Sequence, residues 1–161
     1  MPLSKLREFL DRNNVKYLVI SHATAYTAQG IAAVAHVSGN ALAKTVMVQT
    51  DGRLAMAVVP AATRVDLVRL KKYLGTGIVE LASEADFRSR FADCEMGAMP
   101  PFGNLYGMAV FADESLSRDR EITFSAGTGR QLVRMNYTDF RDLVRPVLLP
   151  LVLAKAKACG V

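Results

Sequence analysis

The run Leu42-Ala-Lys-Thr-Val-Met-Val-Gln-Thr-Asp-Gly-Arg-Leu-Ala-Met-Ala-Val-Val59 decides how the chain is read. Two apolar stretches flank Asp51-Gly52, a pair that tolerates the positive φ values a two-residue type I′ turn requires. The reading is an antiparallel hairpin, Leu42 to Gln49 against Arg53 to Val59. Side chains alternate along a strand, so Lys44 shares a side with Val46 and Val48, the side the apolar pattern marks for burial. A lysine aimed inward at a strand end calls for an anion or a water-filled pocket. The other reading open on the residues alone is a lysine snorkelling out from the strand end.

A second stretch, Gly97-Ala-Met-Pro-Pro-Phe-Gly103, reads as a rigid shaped loop. Its adjacent prolines fix φ and remove two donors, and the flanking glycines permit positive φ and close approach. No visible pattern commits the amides of Gly97 to Met99 or of Phe102 and Gly103 to a ladder, which leaves them for a ligand carrying oxygen atoms. A tight connection between two elements is the competing reading.

Outward from these stretches, Leu3, Leu6, Phe9 and Leu10 recur at helical spacing, with Ser4 as a cap and Asn13-Asn14 as a stop. Val15 to Ile20 reads as a strand delivering His22 to a loop, and Thr27 caps a helix through His36 striped by Ile31, Val34 and Ala35. After Pro60, a short helix containing Val65 to Leu70 ends before Leu74-Gly75, with Lys71 and Lys72 at its far end. Ile78 to Leu81 is a brief strand, and Ser83 with Asp86 forms a capping box for a helix through Phe91. Met108 to Ala112, Ile122 to Phe124 and Leu132 to Met135 are strands, the last two separated by Ala126-Gly-Thr-Gly129. Thr138 caps a final helix, and the apolar tail from Pro146 lies across the body or against another copy. Strands and helices in mixed order make the class α+β, one compact domain over residues 1–161, its sheet mixed and mostly antiparallel and packed with short helices.

The 161 residues suffice for a core without staples, and with 51% hydrophobic and 22% charged residues the composition is that of a globular chain. A formal net charge of +5 hints at an anionic partner such as RNA. The scattered pairs Lys71-Lys72 and Lys155-x-Lys157 make no basic stripe interleaved with aromatics, so a pocketless RNA binder fits poorly. Cys94 and Cys159 form neither a disulfide framework nor a CxxC motif, which suits a reducing compartment. The start of the chain lacks the order of a secretory signal, and the apolar run Val147 to Ala154 is broken by Pro150, so the expectation is cytoplasmic with no membrane partner.

The two histidines, His22 and His36, have no second ligand at metal spacing, so no metal or other cofactor is expected. There is no Gly-x-Ser-x-Gly elbow, and Gly127-Thr-Gly129 lacks the continuation of a nucleotide fingerprint. What remains is a site of backbone amides, one positioning lysine and a few hydroxyls. Such a site suits a labile ester whose substrate brings its own reactive group, and an aminoacyl-tRNA ester qualifies.

Five segments in order, Ser21-His-Ala-Thr-Ala-Tyr-Thr-Ala-Gln-Gly-Ile-Ala-Ala33, Leu42-Ala-Lys-Thr-Val46, the 97–103 loop, Phe124-Ser-Ala-Gly127 and Leu132-Val-Arg-Met-x-Tyr-x-Asp-Phe140, together resemble the YbaK/ProX family of aminoacyl-tRNA editing domains, which includes the editing insertion of bacterial prolyl-tRNA synthetase. The resemblance implies hydrolysis of wrongly charged tRNA, alanyl- or cysteinyl-tRNA for proline, without metal or covalent intermediate. It implies the tRNA acceptor end and prolyl-tRNA synthetase as partners, and no DNA. Lys44, with Thr45 beside it, would hold the terminal phosphate or orient the aminoacyl-adenosine. The backbone of Gly97, Met99, Pro100, Pro101, Phe102 and Gly103 would bind the aminoacyl end and stabilise the oxyanion, Gly97 and Gly103 acting in catalysis. His22, Tyr26, Thr27, Ile31 and Val34 would wall the pocket, with Gly127 and Gly129 in the turn. In the alanine-specific branch a histidine commonly follows the Ala-Gly-Thr run, where this chain has Gly129 and Arg130.

Overall fold

Asp51 and Gly52 adopt φ of 50° and 82°, the paired left-handed conformations of the expected turn. They join β2 (Leu42–Thr50) to β3 (Arg53–Pro60) in an antiparallel ladder that sets Lys44 opposite Val59. The structure, a computed structural model, describes residues 2–21, 42–75 and 77–153. The expected Thr27–His36 helix falls outside them.

The remaining strands are β1 (Tyr17–Ser21), β4 (Val79–Leu81), β5 (Ala109–Asp113), β6 (Glu121–Ser125), β7 (Gln131–Asn136) and β8 (Val147–Leu149). They form one sheet in the order β1-β7-β6-β2-β3-β5-β8, with β4 also on β2. One edge of β2 is taken by β3. The other is divided between β6, parallel, at Leu42 and Ala43 and β4, antiparallel, at Val48 to Thr50. The sheet is mixed, as expected, with β3–β5 and β5–β8 also parallel.

Alternation along the strands separates two cores. Ala43, Met47, Met56, Val58, Phe124 and Val133 face α1 (Pro2–Arg12) and α4 (Tyr137–Val144), and Phe102 of the proline loop fills the space between them. On the opposite face Val48, Ala55, Ala57, Val59 and Phe111 pack on Leu70 of α2 (Leu67–Leu74) and on Leu151. Asp66 caps α2 by accepting from the Arg69 amide, and Gly75 closes it at φ 65°. The Ser83–Asp86 capping box is present at α3 (Glu84–Phe87), and a 3₁₀ turn continues it to Phe91.

Two expected caps are displaced. Helix α1 starts at Pro2, whose fixed φ suits a first helical position, so Ser4 lies inside the first turn. Helix α4 starts at Tyr137, which is buried and donates its amide to Arg120 O at 2.8 Å, so tertiary pairing sets the boundary and Thr138 follows it.

The tail lies on the body through residue 153. After β8, the Leu151 amide donates to the buried Asp113 carboxylate at 2.8 Å, and Leu153 N donates to Arg64 O at 2.9 Å.

Candidate functional site

One end of the sheet gathers the described parts of the expected site. The last paired residues of β2 and β6 at this end are Ala43 and Phe124, so Lys44 stands one residue past the pairing. Three residues beyond Phe124, Gly127 turns the chain at φ 97° between β6 and β7. Its amide donates to Ala98 O and its carbonyl accepts from the Glu95 amide, both at 2.8 Å. The loop 97–103 is therefore bonded, backbone to backbone, to the turn that follows the strand beside Lys44. Strand β1 ends here too, Ser21 opposite Gln131, and the chain re-enters at Leu42 opposite Thr123. His22, Tyr26, Thr27, Ile31 and Val34 lie between these points in sequence and outside the described residues.

Lys44 is partly buried and alternates with Val46 and Val48 on the α2 face. Burial first, and the charge of Arg64 second, lower its pKa from the ordinary 10.5. Thr45 faces the other side, that of Ala43, Met47 and the proline loop. The side chains of Lys44 and Phe102 thus belong to opposite faces of the sheet.

Within the loop, the prolines and their neighbours are anchors. Met99, Pro100, Pro101, Phe102 and Gly103 are all buried. Phe102 packs its ring edge-on to Phe9 at 6.1 Å and Phe140 at 5.6 Å, and tilted against Phe124 at 5.4 Å. Its side chain is fully buried and holds the loop to the core. Gly103 opens a 3₁₀ turn to Leu105 with no room for a side chain, since a Cβ there would lie 2.6 Å from Val110 Cγ2 and even nearer the Met108 carbonyl oxygen. Gly97 is different: φ is 88° and a Cβ would meet nothing within 4 Å. Gly97 is required for its conformation, Gly103 for its size.

The expectation that all these amides are uncommitted needs correction. Ala98 N donates to Glu95 O at 3.0 Å, Phe102 N to Pro100 O at 2.8 Å, and Gly97 N lies 3.3 Å from Met99 Sδ. Local turns, which no strand or helix pattern announces, consume these donors. Among the described residues the amides of Met99 and Gly103 have no such partner.

Sequence reading overlooked Glu95. Its amide and carbonyl bind Gly127 and Ala98, and its Oε2 accepts from the Gly129 amide at 3.0 Å. Its partner at Gly129 is 34 residues away, so the only local signal was an acidic residue two positions before a loop glycine. At Gly129 a Cβ would lie 3.5 Å from Glu95 Oε2, an ordinary contact, so this hydrogen bond does not depend on glycine at that position. Among the described residues no cluster of three or more His, Cys, Asp or Glu could hold a metal ion, and no helix is long and apolar enough to cross a membrane.

No curated protein sequence matches the chain. Many solved structures share the fold. A hypothetical protein superposes with TM-score 0.83 at 18% identity, over 93% of this chain and 100% of its own. A protein described as "a putative trans-editing enzyme for prolyl tRNA synthetase" superposes with TM-score 0.81 at 18% identity, over 95% and 98%. A protein from Marinobacter aquaeolei VT8 described as "a putative signal transduction protein" superposes with TM-score 0.75 at 16% identity, over 95% of this chain but 31% of that longer one. The aminoacyl-tRNA editing domain profile matches residues 22–143, from His22 through the Lys44 strand, the proline loop and the Gly127 turn into α4. With the matched span enclosing every part of the site built above, the chain belongs to the aminoacyl-tRNA editing domain family.

Proposed function

We propose that this protein is an editing deacylase that hydrolyses mischarged tRNA in trans, with alanyl- or cysteinyl-tRNA for proline as substrate and prolyl-tRNA synthetase as its partner in translation fidelity. The observation that carries this reading is the pair of hydrogen bonds joining Gly127 to Glu95 and Ala98, which fastens two motif segments together beside the strand of Lys44. The Lys44 ammonium holds the terminal phosphate or orients the aminoacyl-adenosine, as a positioned charge in a partly desolvated site does well. Water attacks the ester carbonyl carbon, the Met99 and Gly103 amides receive the oxyanion, and the bond to the ribose oxygen breaks, that oxygen taking up the proton. The neighbouring ribose hydroxyl assists the attack, so no side-chain base or metal is required of the protein. With a cysteinyl ester, the substrate's own thiol attacks instead and leaves as a cyclic thioester. His22, Tyr26, Thr27, Ile31 and Val34 wall the amino acid pocket.

A second reading, a non-catalytic module that senses aminoacyl or nucleotide ligands or docks on a synthetase, draws on two observations. The fold recurs as 31% of a longer chain described as a signal transduction protein. Gly129 also stands where the alanine-specific branch commonly has a histidine.

The test is hydrolysis of alanyl-, cysteinyl-, seryl- and prolyl-tRNA for proline by the purified protein. The deacylase reading expects one non-prolyl ester to be cleaved at least about tenfold above its spontaneous rate, prolyl-tRNA being spared. No ester cleaved above that rate, with or without prolyl-tRNA synthetase, leaves the binding module.

A further inference from the structure

Glu95 is the acidic side chain built into this site. Its backbone occupies the crossing between the loop and the turn, donating to Gly127 O and accepting from Ala98 N, so its Cα is fixed by both motif segments. Its carboxylate is fixed as well, through Oε2 and the Gly129 amide. A carboxylate offers two oxygens and about four lone-pair sites, and this bond uses one of them. The side chain is exposed, and among the described residues no cation pairs with it. Arg130, the nearest cation in sequence, has its own interaction partner.

The ester end of a charged tRNA carries two opposite charges, a phosphate on the nucleotide side and the α-ammonium next to the ester carbonyl. The sheet end supplies a matching pair, Lys44 on the strand and Glu95 at the loop. We propose that Glu95 is a substrate-binding residue whose carboxylate receives the α-ammonium of the aminoacyl group, setting the ester carbonyl against the 97–103 loop. This rests on the editing reading and adds a specificity to it: the site selects esters with a free α-amino group over N-blocked ones. Charge-assisted hydrogen bonds are about twice as strong as neutral ones, so loss of the carboxylate charge is felt even where an acceptor oxygen remains.

The test uses a non-hydrolysable amide analogue, 3′-alanylamino-3′-deoxyadenosine, and its N-acetyl form, with binding followed by calorimetry on the full chain and on Glu95→Gln. The glutamine keeps an oxygen for the Gly129 amide, and thermal unfolding of the variant verifies the fold. The expected result is that the wild type binds the free-amine analogue at least about tenfold more tightly than the acetylated one, and that Glu95→Gln binds the two alike. In parallel, Glu95→Gln is expected to raise KM for the tRNA ester more than it lowers kcat. A preference that survives in Glu95→Gln, or a wild type without preference, overturns the proposal. Hydrolysis of tRNA esters that does not depend on Glu95 overturns it while leaving the editing reading intact. Glu95-dependent binding without hydrolysis overturns deacylation instead, and failure to bind either analogue overturns the Glu95 proposal, the editing reading falling with it only if no tRNA ester is hydrolysed.

Discussion

The Gly127 amide donates to the Ala98 carbonyl at 2.8 Å, so a turn between two strands and a proline-rich loop that begins some thirty residues earlier form one rigid unit. That unit sits beside Lys44, whose strand pairs with the strand entering the turn. Shape comes from the backbone and charge from few side chains.

Lys44 is the first place to see the consequence. Burial and Arg64 disfavour its ammonium, so its folded pKa lies below the 10.5 of an exposed lysine. Activity that needs the ammonium therefore falls at a lower alkaline pH than an ordinary lysine would give, and Arg64→Gln should move that limb upward. Stability follows the opposite sign. Between the folded and unfolded pKa the unfolded chain binds more protons, so this group's contribution makes stability rise with pH in the window just below 10.5. Lys44→Met should flatten that rise in alkaline urea titrations.

The two loop glycines should separate. Gly103→Ala forces a Cβ onto the Met108 carbonyl and Val110, and overpacking of this kind costs about 1–3 kcal/mol. Gly97→Ala meets no atom but must hold φ near 88°, for a cost of about 1–2 kcal/mol. Urea unfolding should rank Gly103→Ala as the less stable protein. Turnover of folded Gly97→Ala should drop because the loop loses its shape.

How much of this was legible beforehand depended on where each residue's partner lies. Asp51-Gly52, Ser83 with Asp86 and Gly75 announced their turn and caps because their partners are a few residues away. Lys44 was legible because strand alternation alone sets its side. Thr138 and Ser4 misled as caps, since a buried Tyr137 and an N-terminal Pro2 set those boundaries. The commitments of the loop amides were not legible although their acceptors are two or three residues away, because no strand or helix pattern announces such turns, and the contacts of Glu95 were not legible because Gly127 and Gly129 are distant in sequence. The family resemblance, carried by motif order, was recovered by the family match over residues 22–143.

Asp113 should prove to be the fastener of the tail. Its carboxylate is 2% exposed and accepts from the Leu151 amide at 2.8 Å and from the Ser115 amide and hydroxyl. Asp113→Ala leaves these donors without their acceptor, at a cost of about 1–3 kcal/mol each where they stay buried. Hydrogen exchange should show residues 147–153 opening first in this variant, while the β2–β3 ladder stays protected.

Cys94 should be chemically quiet. Burial pushes its thiol up to about 11, a shift only partly offset by the Tyr106 hydroxyl 3.7 Å away. In a Cys159→Ser background, alkylation by iodoacetamide should be slow near neutral pH and accelerate only toward the alkaline range, because the thiolate is the nucleophile. Cys94→Ala should retain deacylation, and rapid neutral alkylation would show that the thiol is more open than its packing implies.

The most direct measurement is the single-turnover rate of alanyl-tRNA and cysteinyl-tRNA hydrolysis, for the proline tRNA, by wild type and Lys44→Ala under saturating protein. The ester cleaved by the wild type is expected to be spared by the variant, with a rate at least about a hundredfold lower, because a preorganised charge is removed. The variant's unfolding midpoint should stay close to wild type. A well-folded Lys44→Ala protein that hydrolyses the ester at the wild-type rate would contradict the assignment of this sheet end as the editing site.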